Sequence, residues 1–327
     1  MTPMQVFRGT NHASIAPQCA LTIGNFDGVH RGHQAMLALL ASEARHRQIA
    51  ATVLTFEPHP LEFLAPEKAP NRITKLRDKL AELELCGIDQ VVVLRFNKQL
   101  ASLTPEQFVK HIIVDGLHAR HVLVGDDFRF GAKRAGNYEL LDQIAQQYDF
   151  DVARMNSFEV AGQRVSSTLV RDALAKGDMA QVRQQLGRPY AISGHVVHGR
   201  KLGRELGFRT INVRFGHRKA AASGIFVANV LGLDNKPLAG VASIGVRPTV
   251  DNSGEVLLET HLFDWWGDAY GKIVTVELLH KLRDEVKFPN LQALKDGIAK
   301  DCDDARDYWQ KFHHELSQRI APPQIIR

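Results

Sequence analysis

Cysteine is scarce in this chain, and the three present, Cys19, Cys86 and Cys302, are far apart and odd in number. No CxxC pair occurs, so neither a disulfide framework nor a zinc site is expected, and the thiols read as reduced packing residues. Long apolar runs are missing as well: nothing approaches the roughly 20 residues that a membrane span needs. The opening MTPMQVFRGTNH lacks the apolar core of a signal peptide, which predicts a cytoplasmic protein with no membrane attachment. Aromatic residues make up only 7% of the chain, and the Trp265-Trp266 pair lies outside its basic loop, so a base-stacking surface for nucleic acid is not expected. What is there is an ordinary composition, 44% hydrophobic and 24% charged. At 327 residues the chain exceeds what one hydrophobic core serves, and two domains follow.

The formal net charge is +5, with 21 basic and 20 acidic residues before Gly187 and 20 against 16 from there on. Seven Arg or Lys residues fall between Gly194 and Lys219, opposed only by Glu205 and interleaved with glycines. Such a stretch suits nucleic acid or a phosphorylated small molecule, and charge alone does not choose.

Over residues 19–151, short strand-forming runs alternate with helical patterns. CALTIG precedes a helix over 34–47, AATVLTF one over 73–86, QVVVLRF one over 105–114 and ARHVLVG one over 138–147, with a last strand near FDVARM. Strand and helix in alternation predict a parallel sheet covered on both faces, with ligands beyond the carboxyl ends of its strands. Four motifs fall where that rule puts a site: GNFDGVHRGH at 24–33, FEPHP at 56–60, GDDFRFG at 125–131 and RVSSTLVR at 164–171. In the first, Gly24 and Gly28 permit a sharp turn, Asp27 is a candidate cap, and the amides of the coming helix point at an anion. His30 and His33, three apart, share one side of that helix and are suited to grip a phosphate. His59 sits between two prolines in a rigid loop. Asp127 suits a nucleotide hydroxyl, Mg²⁺ or a plain turn. Ser167 and Thr168 suit a helix cap or a phosphate clamp, with Arg171 one turn on.

In this order the four motifs resemble the adenylyltransferase half of the prokaryotic bifunctional riboflavin kinase and FMN adenylyltransferase family, also called FAD synthetases, within the HxGH nucleotidyltransferases. The resemblance implies a Rossmann-like domain that binds ATP and Mg²⁺. It further implies that His30, His33 and Arg171 act in catalysis, and that Gly24, Asn25, Phe26, Asp27, Gly28, His59, Asp127, Arg164, Ser167 and Thr168 meet the nucleotide. Asp127 falls where the family has Asn or Asp.

After a helix over 179–185, GRPY marks a boundary, and glycine-separated strands without intervening helices predict a small β-barrel, followed by a helical tail over 290–320. The domains are therefore drawn at 1–186 and 187–327. GHVVHGRKLGRELGFRTINV offers amides near Gly199, Gly203 and Gly207 as an anion nest. Thr210 and Asn212, two apart on an extended segment, turn both oxygens to one face and are candidate Mg²⁺ ligands. Glu259 in LETHL, with Leu258 and Thr260 facing the other way, is expected to point inward at the barrel mouth as a general base. The family resemblance extends here. Its riboflavin kinase half has a glycine-rich loop and a Pro-Thr-Ala-Asn motif, read here as Arg209, Thr210, Ile211 and Asn212. It implies that Gly199, Lys201, Gly203 and Gly207 hold ATP, that Glu259 is the base, and that Arg283, Glu285 and Phe288 in LRDEVKF lie by the flavin.

The expected activity is phosphorylation of riboflavin to FMN and adenylylation of FMN to FAD, both with ATP and Mg²⁺. The expected partners are small molecules, without nucleic acid or membrane, in a monomer or weak homo-oligomer. A second reading keeps adenylyl transfer alone, Arg209 and Ile211 having reduced the barrel to a flavin-binding module. A third, an RNA-binding protein, needs stacking aromatics that the basic loop lacks.

Overall fold

Runs such as CALTI and VVVL are apolar but for Thr22, as suits a strand buried on both faces. In the computed structural model, which describes residues 3–160, 162–199, 207–215, 220–246 and 256–319, they become neighbours in one parallel sheet. In chain order the elements are β1 (Gln5–Arg8), β2 (Cys19–Ile23), α1 (Arg31–Arg47), β3 (Ala50–Glu57), α2 (Pro60–Leu64), α3 (Leu76–Leu85), β4 (Gln90–Arg95), α4 (Lys98–Ala101), α5 (Pro105–Phe108), β5 (Ala119–Gly125), α6 (Tyr138–Ala145) and β6 (Asp151–Met155). Spatially the strands run β1-β4-β3-β2-β5-β6, every pair parallel. The order reverses between β2 and β5, which opens a crevice beyond their carboxyl ends.

Alternate strand residues feed two apolar layers. Ala20, Val53, Val91 and Leu123 meet Leu37, Leu40, Ala41 and Ala44 of α1 and Leu83 of α3. Leu21, Leu54, Val92 and Val122 meet Phe108, Ile113, Leu141 and Ile144 on the other face. The doubly covered sheet is therefore as expected, with local differences. The predicted 105–114 helix is α-helical only through Phe108 and widens to a π turn over Val109–Val114. The edge strand β1 lies in the polar opening segment, half-exposed and short, where no apolar run announces it. A two-residue-arm hairpin, β7 (Glu159–Val160) with β8 (Gln163–Arg164), precedes α7 (Ser167–Lys176).

The chain divides into two compact units, Met1–Pro70 with Leu76–Ser167, and Asn71–Lys75 with Thr168–Arg327. The second unit holds most of α7, then α8 (Met179–Leu186) and a closed antiparallel barrel of β9 (Tyr190–Val197), β10 (Thr210–Arg214), β11 (Gly224–Leu231), β12 (Leu238–Val246), β13 (Val256–Leu262) and β14 (Ile273–Arg283). Helix α9 (Leu291–Arg319) follows. Ile192, Ile211, Val213, Phe226, Ala242, Leu258 and Val276 fill the barrel and share one apolar cluster with Val170, Leu174, Val182 and Leu186 of α7 and α8. That shared cluster is why the compact division falls at 167–168, upstream of the boundary drawn from sequence. Lys75 Nζ donates to the carbonyls of Ser193 and Arg214, 2.9 and 2.5 Å, tying the 71–75 stretch into the same unit. Outside the barrel, Cys302 and Ala305 of α9 pack on Val227, Val241 and Phe263.

Candidate active sites

The turn after β2 is strained and buried. Phe26 and Val29 adopt φ of 46° and 40°, conformations that L-residues avoid, and the two side chains are 2% and 0% exposed in the α1 layer. Core packing offsets a strain of roughly 1–3 kcal/mol per such residue, and the chain leaves the turn aimed into α1. The cap of α1 is His30, not Asp27: its Nδ1 accepts the His33 N–H at 3.3 Å. An acceptor at Nδ1 leaves the proton of the neutral ring on Nε2, as a donor. The His30 and His33 rings stack at 3.6 Å and 15°. Gly32 permits this, since a Cβ there would lie 3.2 Å from the His30 ring.

His33 does not carry the charge that a phosphate grip suggests. Burial, then His30, then Lys79 hold its pKa well below the ordinary 6.5, so the imidazole is neutral at pH 7. The unfolded chain thus binds a proton below pH 6.5 that the folded chain refuses, and stability present above 6.5 falls as pH drops toward the folded pKa. His33→Gln should remove up to about 1.4 kcal/mol per pH unit of that slope between pH 6.5 and 5.5, read from urea denaturation at several pH values. His261, also lowered by its burial, leaves a residual slope in the variant.

Three of the four motifs meet within the first unit. Ser167 Oγ donates to the Asp27 carbonyl at 2.9 Å, across 140 positions of sequence. Arg164 Nη2 reaches Asp126 Oδ1 at 3.3 Å and Asp127 Oδ2 at 3.4 Å. Ser157 Oγ, 2.5 Å from Asp126, and then Arg164 keep that carboxyl below the usual range. The Arg164 pairs are exposed and weak, so its guanidinium can exchange a carboxylate for a phosphate at little cost. Asn25 Oδ1 is buried with no hydrogen-bond partner among the described residues. Phe26 offers the site only backbone, its ring being core. His59 is the N-cap of α2, accepting the Leu61 N–H at Nδ1, 3.2 Å, within a capping box with Glu62. On α7, Thr168 is exposed, and Arg171 Nε donates to the Asn71 carbonyl at 2.8 Å.

In the barrel, register decides what faces what. Asn212 of β10 is the cross-strand partner of Glu259 on β13, which is the partner of Ser243 on β12; beyond them lie Val197 on one side and Ile225 and Arg283 on the other. Thr210 shares the face with Asn212, two residues along. Because Leu258 and Thr260 point into the barrel with Ile211, Glu259 stands on its outer face; the inward orientation expected from sequence is corrected. Ile211 is 7% exposed and interior, so its bulk in place of Ala points away from Asn212. Arg209, in place of Pro, has its carbonyl held by His261 Nδ1–H at 2.8 Å.

Asn212 is 5% exposed, and its Oδ1 has no hydrogen-bond partner among the described residues. The backbone of Gly199 lies over this amide, where a Cβ would come within 2.5 Å of Nδ2. A buried oxygen in want of a partner, with a hydroxyl on the same face, fits a hard cation. No group of three His, Cys, Asp or Glu able to hold a metal ion occurs among the described residues. Gly207 is exposed with φ 90°. Lys201 and Gly203 lie outside the described residues. Arg283 is ion-paired with Asp301, Glu285 accepts a hydrogen bond from Ser243, and Phe288 lies beneath the Arg283 guanidinium.

Two features escaped sequence reasoning. Lys79 on α3 is 1% exposed and bears electrostatically on His33. Its spacing from Leu76 and Leu83, three and four residues, puts it on the apolar stripe, and that was the available signal. Phe56 and Phe63 each meet Phe96 edge to face at the ends of β3 and β4, with Phe63 42% exposed. They are separated in sequence, and nothing local links them.

The FAD synthetase family matches residues 12–169, and the riboflavin kinase family matches residues 186–309. The chain is 46% identical over 308 residues to the bifunctional riboflavin kinase/FMN adenylyltransferase of Escherichia coli K12, covering 94% of this chain and 98% of that protein. It is 41% identical over 307 residues to the protein of the same name from Haemophilus influenzae, covering 94% and 99%. Among solved structures, a Streptococcus pneumoniae protein named as a macrolide-efflux protein superposes with a TM-score of 0.74 at 28% identity, over 91% of this chain and 97% of that one. No described helix of this chain is long and apolar enough to cross a membrane. With both family halves matched in one polypeptide, the chain belongs to the bifunctional riboflavin kinase/FMN adenylyltransferase family.

Proposed function

We propose that this chain makes FAD from riboflavin in two ATP-dependent steps at two separate sites, Glu259 serving the first and the stacked histidines the second. The chain is a riboflavin kinase and an FMN adenylyltransferase. In the first step the riboflavin 5′-hydroxyl, a poor nucleophile while protonated, gives its proton to Glu259 as it attacks the γ-phosphorus of ATP, and ADP leaves. Gly199 and Gly207, and by the family motif Lys201 and Gly203, are assigned to the ATP phosphates. Thr210 and the partnerless Asn212 Oδ1 would hold Mg²⁺, which when bound neutralises phosphate charge. Arg283, Glu285 and Phe288 border the flavin.

In the second step the FMN phosphate, whose second pKa is about 6, is already an anion and needs no base. It attacks the α-phosphorus of ATP and pyrophosphate departs. His30 Nε2–H and neutral His33 donate hydrogen bonds to the phosphates, with the amides of the 24–28 turn, Arg164 and Ser167 around them, while Thr168 and Arg171 are assigned to the same step by the family motif alone. Asp127 bears on the nucleotide, His59 shapes the rim, and the exposed face of Phe63 suits a flat flavin ring. Adenylyl transfer is assigned to 1–186 and phosphorylation to 187–327. The protein works on small molecules rather than nucleic acid, in the cytoplasm, as a monomer or weak homo-oligomer.

The observation that carries the two-step reading over adenylyl transfer alone is the pairing of Asn212 with Glu259 on one face while Ile211 is buried on the other. Incubating the chain with riboflavin, ATP and Mg²⁺ and separating the flavins by chromatography should yield FMN and then FAD. FAD made from FMN but never from riboflavin would leave only the adenylyl step. Chelating Mg²⁺ should abolish both conversions, and Asn212→Ala should raise the Mg²⁺ concentration for half-maximal FMN formation roughly 10–100-fold while leaving that for FAD formation in place.

A further inference from the structure

The segment leaving β14 is tied down by a residue with no assigned role. Arg283 Nε and Nη2 reach the two carboxylate oxygens of Asp301 on α9 at 2.8 and 2.5 Å, and Nη1 donates to the Asp284 carbonyl at 2.9 Å. The Asp301 side chain is 8% exposed, the Arg283 side chain 28%. The guanidinium stands 5.5 Å over the Phe288 ring, and that ring lies so close to α9 that a Cβ at Gly297 would come within 2.5 Å of its Cζ. At the other edge Glu285 Oε1 accepts from Ser243 Oγ at 3.2 Å, and Ser243 is the cross-strand partner of Glu259. Residues 283–288 are thereby held between α9 and the outer face of the barrel, one strand away from the proposed base.

A bidentate arginine-carboxylate pair fixes direction as well as distance. Since Arg283 spends its fork on Asp301, its own service to a flavin is to hold the segment and not to bind a phosphate. We propose that Asp301 is a positioning residue for the riboflavin step: through Arg283 it sets the 283–288 segment that defines where the flavin ring lies relative to Glu259. The inference rests on the kinase reading above and adds to it a residue on α9.

The test uses the full chain. Asp301→Asn keeps shape and loses the pair; it should raise the riboflavin KM about tenfold while the ATP KM in the same reaction moves less than about twofold. Asp301→Glu, which restores the charge, should recover most of the loss. Arg283→Lys should match Asp301→Asn, and the double variant should be no worse than the worse single, because both break one interaction. Adenylyl transfer from supplied FMN reports that the chain is folded, and should Asp301→Asn prove insoluble, Arg283→Lys carries the same comparison. An unchanged riboflavin KM, an equal rise in both KM values, or additive single effects would overturn the proposal. Riboflavin Kd with ADP present, from quenching of flavin fluorescence, separates the two levels: a wild-type chain that binds riboflavin but forms no FMN defeats the kinase reading, and the role of Asp301 is then decided by whether Asp301→Asn weakens that binding about tenfold.

Discussion

Glu259→Gln should produce a folded chain that converts FMN to FAD at the parental rate and makes FMN from riboflavin about 10²–10⁴-fold more slowly, the range for loss of a general base. Glutamine keeps the volume and a hydrogen-bonding oxygen but cannot take the proton of the 5′-hydroxyl. Glu259 is half-buried on the outer face of β13, with Asn212 and Ser243 as its flanking cross-strand partners, so the exchange disturbs no packed interior. The loss should fall on kcat, because the flavin and ATP contacts lie on other residues. Chromatographic separation of riboflavin, FMN and FAD after incubation with ATP measures both steps in one sample. A kinase step within a few-fold of the parent would remove Glu259 from the role of base, and loss of both steps in a folded variant would argue against separate sites.

His33→Ala should do the reverse, lowering FMN-to-FAD conversion by about 10²–10³-fold, the cost of one donor aimed at developing charge, and sparing FMN formation. The effect has two physical sources. The variant removes a donor to the phosphates, and it leaves His30 without the ring stacked on it at 3.6 Å and Phe26 without its neighbour at 5.1 Å. His33→Gln, which refills part of the space and supplies an amide N–H, should recover a portion of the rate. Because the folded imidazole is already neutral at pH 7, adenylyl transfer should show no inflection from His33 near pH 6.5, and an inflection there that vanishes in His33→Gln would contradict a neutral donor. The turn around it is held by residues of the core, so thermal melting must accompany the rate measurement.

Much of this is legible in the amino-acid sequence. Apolar runs with charged helices between them give away a doubly covered parallel sheet, because a strand buried on both faces has few polar positions. GNFDGVHRGH was legible because its geometry is local: turn, cap and paired imidazoles all lie within 24–33. Even there the cap is not decided locally, since Asp27 and His30 are both able to accept an amide and the strained backbone at Phe26 and Val29 selects His30. The burial of Lys79 is not legible in the sequence, because a lysine on an amphipathic helix ordinarily reaches water. The meeting of Asp301 with Arg283 depends on how α9 lies along the barrel, which no spacing encodes.

By itself, then, the amino-acid order determined the two architectures, the residue types at each site and the alternation that sets Glu259 opposite in direction to Leu258 and Thr260. Alternation has two faces and does not name them. Which one is interior was decided by closure of six strands around a single apolar filling, which claimed Ile211, Leu258 and Thr260 and left Thr210, Asn212 and Glu259 outside. Likewise the charge of an imidazole is not a property of its sequence neighbours: His33 is neutral because the fold dries it and sets His30 and Lys79 beside it. Long-range packing controls dielectric and direction, and those two quantities turn a list of suitable side chains into sites.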